Sequence, residues 1–252
     1  MTTNAAMNIE ATPPRRRLIL ALVRGKSGKT LWARWLTEVM RARRVNPVVA
    51  DADTVGTGLC RYEEGALRLR RHVGAIGPWW DDVLADGEDR SGRPVVVDFS
   101  LDQGLIHRVD PEGTDFRDRY AEIGFDITKA FFIAPDTGDA DAFVNTGASV
   151  TATNTLLVLN EGAPGEQGEH QFERLLAHPT VREAIEHGAR VARMPALRSD
   201  VATDRDIAGL IAFSKPGVPD REPLAFQRQA TRLWLGRMET AFAPFSREVG
   251  LG

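Results

Sequence analysis

Short, continuous apolar runs punctuate this chain, and each gives way to a polar or turn-forming residue. They are Leu18–Val23 (LILALV) before Arg24, Pro47–Ala50 (PVVA) before Asp51, and Val95–Val97 (VVV) before Asp98. Ala130–Ala134 (AFFIA) follows, before Pro135-Asp136, then Thr155–Leu159 (TLLVL) before Asn160. A weaker run, Val191–Met194, ends at Pro195. Uninterrupted apolar runs of this length suit strands covered on both faces, as in a parallel sheet. The intervening segments are long enough for crossover helices: Lys29–Arg44, Asp139–Ala148, Glu169–His178 and Pro179–His187. Lys29–Arg44 places Leu31, Trp35, Leu36, Val39 and Met40 at helical spacing. The alternation predicts an α/β fold of three layers, a mostly parallel central sheet flanked by helices. In open sheets of this kind ligands bind beyond the carboxyl ends of the strands, and that is where the polar residues fall.

The 252 residues, 42 % of them hydrophobic, are enough for one sizeable core. We expect a flexible tail over residues 1–16, a main domain over 17–215 and a helical extension over 216–252 packed on it. Leu224–Ala243 reads as that last helix, stopped by Pro244, with Phe226, Leu233, Trp234, Met238 and Phe242 toward the core. Pro216–Pro223 reads as a linker and Asp86–Arg93 as a polar loop. Adjacent Trp79 and Trp80 cannot both face one core, so one is a candidate for exposure on a partner surface, with packing under a loop the default reading.

The net charge of −3 argues against a generally basic nucleic-acid binder. DNA contact would need a local patch. Candidates are Arg15–Arg17, Arg68 with Arg70 and Arg71, and Arg228, Arg232 and Arg237 with Arg247; a solvated face is the default reading of each. Cys60 is the single cysteine, so there is neither a disulfide framework nor a thiolate metal cluster, and a reducing, cytoplasmic setting fits. The five histidines, at 72, 107, 170, 178 and 187, lack metal-binding spacing. No apolar run reaches the ~18 residues of a membrane span.

Between the first apolar run and the first helical segment lies Arg24-Gly25-Lys26-Ser27-Gly28-Lys29-Thr30. A strand, a Gly-containing turn and a helix opening on Lys-Thr is the layout of a phosphate-binding loop. Backbone amides of the turn and helix start point at the anion. Gly25 and Gly28 let the main chain come close, Lys29 suits the β/γ-phosphates, and the Thr30 hydroxyl suits Mg²⁺.

The segment resembles the deviant Walker A, K-G-G-x-G-K-[ST], of ParA/MinD-type P-loop ATPases of the SIMIBI class. Gly25, Gly28, Lys29 and Thr30 match; Arg24 stands at the signature lysine and Lys26 at the second glycine. The cation that crosses a nucleotide-sandwich dimer is then Arg24 or Lys26. Asp51-Ala52-Asp53-Thr54-Val55-Gly56 is similar to the family's D-x-D-P-Q-G switch I. That likeness implies that Asp53 orients the attacking water and that Asp51 lies near the magnesium. Val95–Asp98 resembles a Walker B strand, which implies Asp98 as a metal ligand; of Phe99–Gly104 only Gly104 hints at switch II. Leu156–Asn160 resembles the strand whose final Asn reads the adenine amino group, and Met194–Leu197, with Pro195, the segment lining the base.

The resemblance spans residues 17–200. It implies an ATPase using ATP and Mg²⁺, with Lys29, Asp53 and Arg24 in catalysis and Ser27 and Lys26 within the cradle. ATP would close a homodimer and slow hydrolysis would reopen it. The implied work is plasmid or chromosome partition, conjugative transfer or cargo positioning, with a protein cargo or activator, or DNA, as partner. Two other readings stay open: a small-molecule kinase using Gly113–Arg119 (GTDFRDR) in its acceptor pocket, and a nucleotide-binding scaffold without turnover.

Overall fold

The computed structural model describes residues 15–23, 27–53, 58–69, 76–88, 92–100, 109, 116–133, 143, 150–163, 172–197, 209–213 and 225–252. Seven strands form one sheet: β1 (Arg16–Val23), β2 (Val48–Asp51), β3 (Leu67–Arg68), β4 (Val95–Ser100), β5 (Phe125–Ile133), β6 (Asn154–Asn160) and β7 (Arg190–Met194). Their order is β3-β2-β4-β1-β5-β6-β7, and every pairing is parallel. The described helices are α1 (Lys29–Ala42), α2 (Ile76–Glu88), α3 (Phe116–Glu122), α4 (Glu173–Leu176), α5 (Pro179–Glu186), α6 (Leu210–Phe213) and α7 (Ala225–Phe242).

A parallel neighbour cannot be reached by a tight hairpin, so each connection crosses a face of the sheet. Strand β5 separates the resulting layers. Phe132 faces α1, where it meets Trp32 edge-on at 5.4 Å. Phe125 and Phe131 face the other side, toward Gly87 of α2 and Phe143. The result is the three-layer α/β arrangement expected of a P-loop fold. Leu18, Ile19, Val95, Val96, Phe131 and Leu157 keep no exposed surface.

The last long helix closes over the first. Phe242 lies 5.9 Å from Trp32 and 5.1 Å from Trp35, ring centre to ring centre. Thr231, Trp234, Met238 and Phe242, three or four residues apart, form the buried stripe of α7. Phe226 and Leu233 lie off that stripe and are 47 % and 60 % exposed, which corrects their assignment to the core.

Several boundaries depart from expectation for local reasons. Trp79 and Trp80 are both buried, so neither is left exposed for a partner. The Trp79 indole donates to the Leu67 carbonyl at 3.0 Å and the Trp80 indole to the Tyr120 hydroxyl at 2.6 Å. Helix α2 runs between neighbours on two sides, so indoles pointing differently both find cover. Gly77-Pro78 disguised this helix, although proline is tolerated in a first turn. The expected loop at 86–93 starts inside it. Strand β5 begins five residues before the AFFIA run, where Asp126 and Lys129 break the apolar pattern. Asp126 pairs with Arg17 at 2.8 Å and Arg15 at 3.4 Å, and the Arg16 guanidinium lies 4.6 Å from the Phe125 ring centre. The arginine triplet therefore stitches β1 to β5. Within the 169–178 segment helix α4 covers Glu173–Leu176, and residues 169–171 lie outside the described residues. Residues 1–14, 216–223, Arg70, Arg71, His72, His107, His170 and all of 139–148 except Phe143 lie outside the described residues.

Lys129 is buried within this core. Its ammonium donates to the Val150 carbonyl at 2.8 Å and lies 5.8 Å from the Phe143 ring centre. Burial lowers its pKa from 10.5 to about 8. Between those values the unfolded chain holds a proton that the folded chain has released, so this group makes stability rise with pH across that window. Lys129→Met is expected to remove this rise, on the order of 3 kcal/mol, in urea titrations at several pH values between 7 and 10. Phe242→Ala is expected to lower stability by about 3–5 kcal/mol, read from the urea midpoint.

Candidate functional site

The register of three strands sets one acid at the centre of the carboxyl edge. Asp98 of β4 lies opposite Ala21 of β1 on one side and Asp51 of β2 on the other. Helix α1 begins at Lys29, just beyond the β1 turn, with Gly28 as N-cap at φ 91°. Lys29 Nζ is 3.0 Å from Asp98 Oδ1, and Thr30 Oγ1 donates to Asp98 Oδ2 at 2.6 Å. Asp98 has no exposed surface. Burial pushes its pKa up, against the pull of the Lys29 ammonium and the Thr30 hydroxyl, and nearby Asp51 adds to the rise. An isolated carboxylate here would cost several kcal/mol, so the cation beside it is a structural requirement as well as a chemical opportunity.

This donor set fits the group that the sequence implies. A buried carboxylate and a helix-start hydroxyl are hard oxygen ligands of the kind Mg²⁺ takes alongside phosphate oxygens and water. Thr30 and Asp98 would hold the metal and Lys29 the phosphates. Among the described residues no cluster of three or more His, Cys, Asp or Glu could hold a metal ion alone. Arg24, Gly25 and Lys26 lie outside the described residues, as do Thr54, Val55, Gly56, Leu101–Gly104 and 113–115.

Asp51 is 1 % exposed and its carboxylate is taken up by the loop that follows it. Oδ1 accepts the Asp53 amide at 2.9 Å and Oδ2 the Cys60 amide at 2.8 Å. Gly58 is required at this fold-back, because a Cβ there would stand 2.8 Å from both Asp51 oxygens. Asp53 is half-buried beside it. Burial and the Asp51 charge push the Cys60 thiol up to about 12, which keeps it protonated and unreactive. Further along, Glu63 accepts the Thr37 hydroxyl at 3.1 Å and Arg41 at 2.6 Å, pinning the loop to α1. Sequence reasoning missed Glu63 and Gly58; their partners are far away in the chain, so no local pattern marks them.

Asn160 ends β6 and reaches the turn before α1. Its Nδ2 donates to the Ser27 carbonyl at 2.7 Å, and its Oδ1 accepts the Gly162 amide at 2.9 Å. A Cβ on Gly28 would stand 2.4 Å from Asn160 Nδ2 and 3.6 Å from Met194 Cε. Pro195 follows Met194, and its carbonyl accepts the Trp234 indole at 2.8 Å. Beside it an open groove of about 380 Å³ is lined by Ala196, Leu197, Ala230, Leu233, Trp234 and Arg237. One edge of the sheet therefore carries Ser27, Gly28, Lys29, Thr30, Asp51, Asp98, Asn160 and Pro195. No helix among the described residues is long and apolar enough to cross a membrane.

No protein-family model matches the chain, and no curated protein matches it in sequence. Among solved structures it is similar to the MinD cell division protein of Aquifex aeolicus, at 12 % identity and a TM-score of 0.48 over 89 % of this chain and 97 % of that one. It is also similar to the cell division protein FtsY of Thermotoga maritima, at 15 % identity and a TM-score of 0.41 over 72 % of this chain and 62 % of that one.

Gly28→Ala would force an L-residue into a left-handed backbone and drive a methyl into Asn160. We expect a loss of about 1–3 kcal/mol in the stability of the ligand-free protein, measured by chemical denaturation; a variant as stable as wild type would contradict this geometry.

Proposed function

We propose that this chain is a P-loop ATPase of the ParA/MinD type, which binds ATP with Mg²⁺ and uses slow hydrolysis to switch a homodimer on and off. The nucleotide half of the reading rests on one observation: Lys29, Thr30 and Asp98 converge where α1 begins. A triphosphate seated there would draw the Lys29 ammonium from Asp98 to its β/γ-oxygens, since each is an anion competing for the same cation. Thr30 and Asp98 would then hold the metal, which when bound neutralises charge on the phosphates. Asp53, beside Asp51, is the acceptor we assign to the attacking water. Arg24 or Lys26 is the cation we assign to the partner protomer's phosphates, a role that suits a guanidinium. The groove beyond Pro195 offers apolar walls to the base. The resemblance in the loop supports the dimer switch and a role in partition, transfer or positioning of a cargo. The small-molecule kinase reading gains no similar support, because Arg117 and Arg119 are exposed on α3.

Sedimentation with ADP and with a non-hydrolysable ATP analogue tests the proposal. Wild type should bind both and dimerise with the analogue alone. Lys29→Ala should abolish binding, Asp98→Asn should weaken Mg²⁺-dependent binding at least about tenfold, and Arg24→Ala should bind but remain a monomer. Wild-type protein that binds the analogue without changing its mass would end the dimer switch. Protein that binds no nucleotide would end the whole reading.

A further inference from the structure

Asn160 lies two strands away from β1 in the sheet, with β5 between them. Its side chain nevertheless crosses the end of β5 to the loop before α1, and only 6 % of the residue is exposed. The orientation of the carboxamide is dictated by its surroundings. Turned over, its oxygen would face the Ser27 carbonyl and its NH₂ would face the Gly162 N–H, two repulsions in place of two hydrogen bonds. Gly28 is fitted to the same contact, since even a Cβ would collide with Nδ2.

A carboxamide has two N–H donors and two acceptor lone pairs to place. Asn160 gives one N–H to the Ser27 carbonyl and one lone pair to the Gly162 amide, so both halves of the group are held by backbone. We propose that Asn160 is a positioning residue of the phosphate loop. The mechanism follows from peptide geometry. A trans peptide is planar with its C=O and N–H opposed. Holding the Ser27 carbonyl toward Asn160 therefore aims the Gly28 N–H the opposite way. An amide aimed in advance binds an oxyanion without paying for reorganisation when the ligand arrives. Its loss should weaken every ligand that carries the phosphate chain, whatever its base. This inference rests on the reading of the loop as a phosphate cradle, and the ligand series below separates the two.

Affinities for Mg·ATP, Mg·GTP and Mg·tripolyphosphate would be measured by titration calorimetry for wild type, Asn160→Ala and Asn160→Asp, with melting temperatures of the unliganded proteins alongside. We expect Asn160→Ala to weaken all three ligands by the same factor, about tenfold, leaving the ATP-to-GTP ratio unchanged. Asn160→Asp should weaken all three further, because it sets a carboxylate against the Ser27 carbonyl. A merely structural role would lower the melting temperature while leaving the affinity of folded protein intact, and that outcome overturns the proposal. So does a variant that keeps its tripolyphosphate affinity while the ATP-to-GTP ratio moves, which would make Asn160 a base reader. Should the variants not fold, the side-chain NH₂ resonances of Asn160 in wild type decide. A shift with tripolyphosphate as large as that with ATP supports positioning, and a shift with ATP alone refutes it. Wild type that binds none of the three ligands overturns the phosphate-cradle reading itself.

Discussion

A carboxylate with no access to water, met by one ammonium and one hydroxyl, holds the open edge of this sheet together. Asp98 can be buried because α1 delivers Lys29 and Thr30 to it. α1 can deliver them because β1, its predecessor, pairs directly with β4. Two acids share this register, and they are neutralised differently. Asp98 takes a cation, whereas Asp51 takes two backbone amides and shapes a loop in doing so. Had both required a cation, the edge would hold a carboxylate pair with one lysine between them, and one acid would stay protonated.

The helix that carries the site is also tied at its far end. Over 14 residues, about 20 Å of rise, α1 passes from Lys29 to the polar group formed by Arg34, Thr37, Glu38 and Arg41. Glu38 accepts the Leu210 and Ile211 amides at 2.8 Å each and so caps α6. The Arg34 guanidinium stacks 4.3 Å from the Tyr62 ring centre, next to the Glu63 anchor. Packing on the sheet, a loop on one side and α6 on the other leave this helix little freedom to rotate. Its first turn is therefore held in a fixed direction.

The architecture was legible because a sheet covered on both faces writes itself as bare apolar runs, and six of the seven strands carry one. The seventh, β3, has two residues and no such signature. Lys29, Thr30 and Asp98 could be named from local pattern, since a strand end followed by a helix start is a local event. Their direct contact could not, because it depends on which strands are neighbours. Asn160 could be named as a strand-end amide, but its bonds to the Ser27 carbonyl and the Gly162 amide could not, since such an amide looks the same in sequence whichever backbone lies near it. Glu38, Glu63 and Gly58 left no trace, because each answers to a group brought near only by the completed fold. Phe226 and Leu233 were misjudged for a related reason: in a helix with apolar residues on several sides, only the neighbouring layer decides which side is buried.

The seating of Phe242 between Trp32 and Trp35 has a consequence for biosynthesis. The two indoles leave the ribosome early, yet the ring that covers them follows about 200 residues later, roughly 10 to 40 s at ordinary elongation rates. Throughout that interval the nascent chain carries a bulky aromatic surface without its final lid, a natural point for a chaperone to hold it.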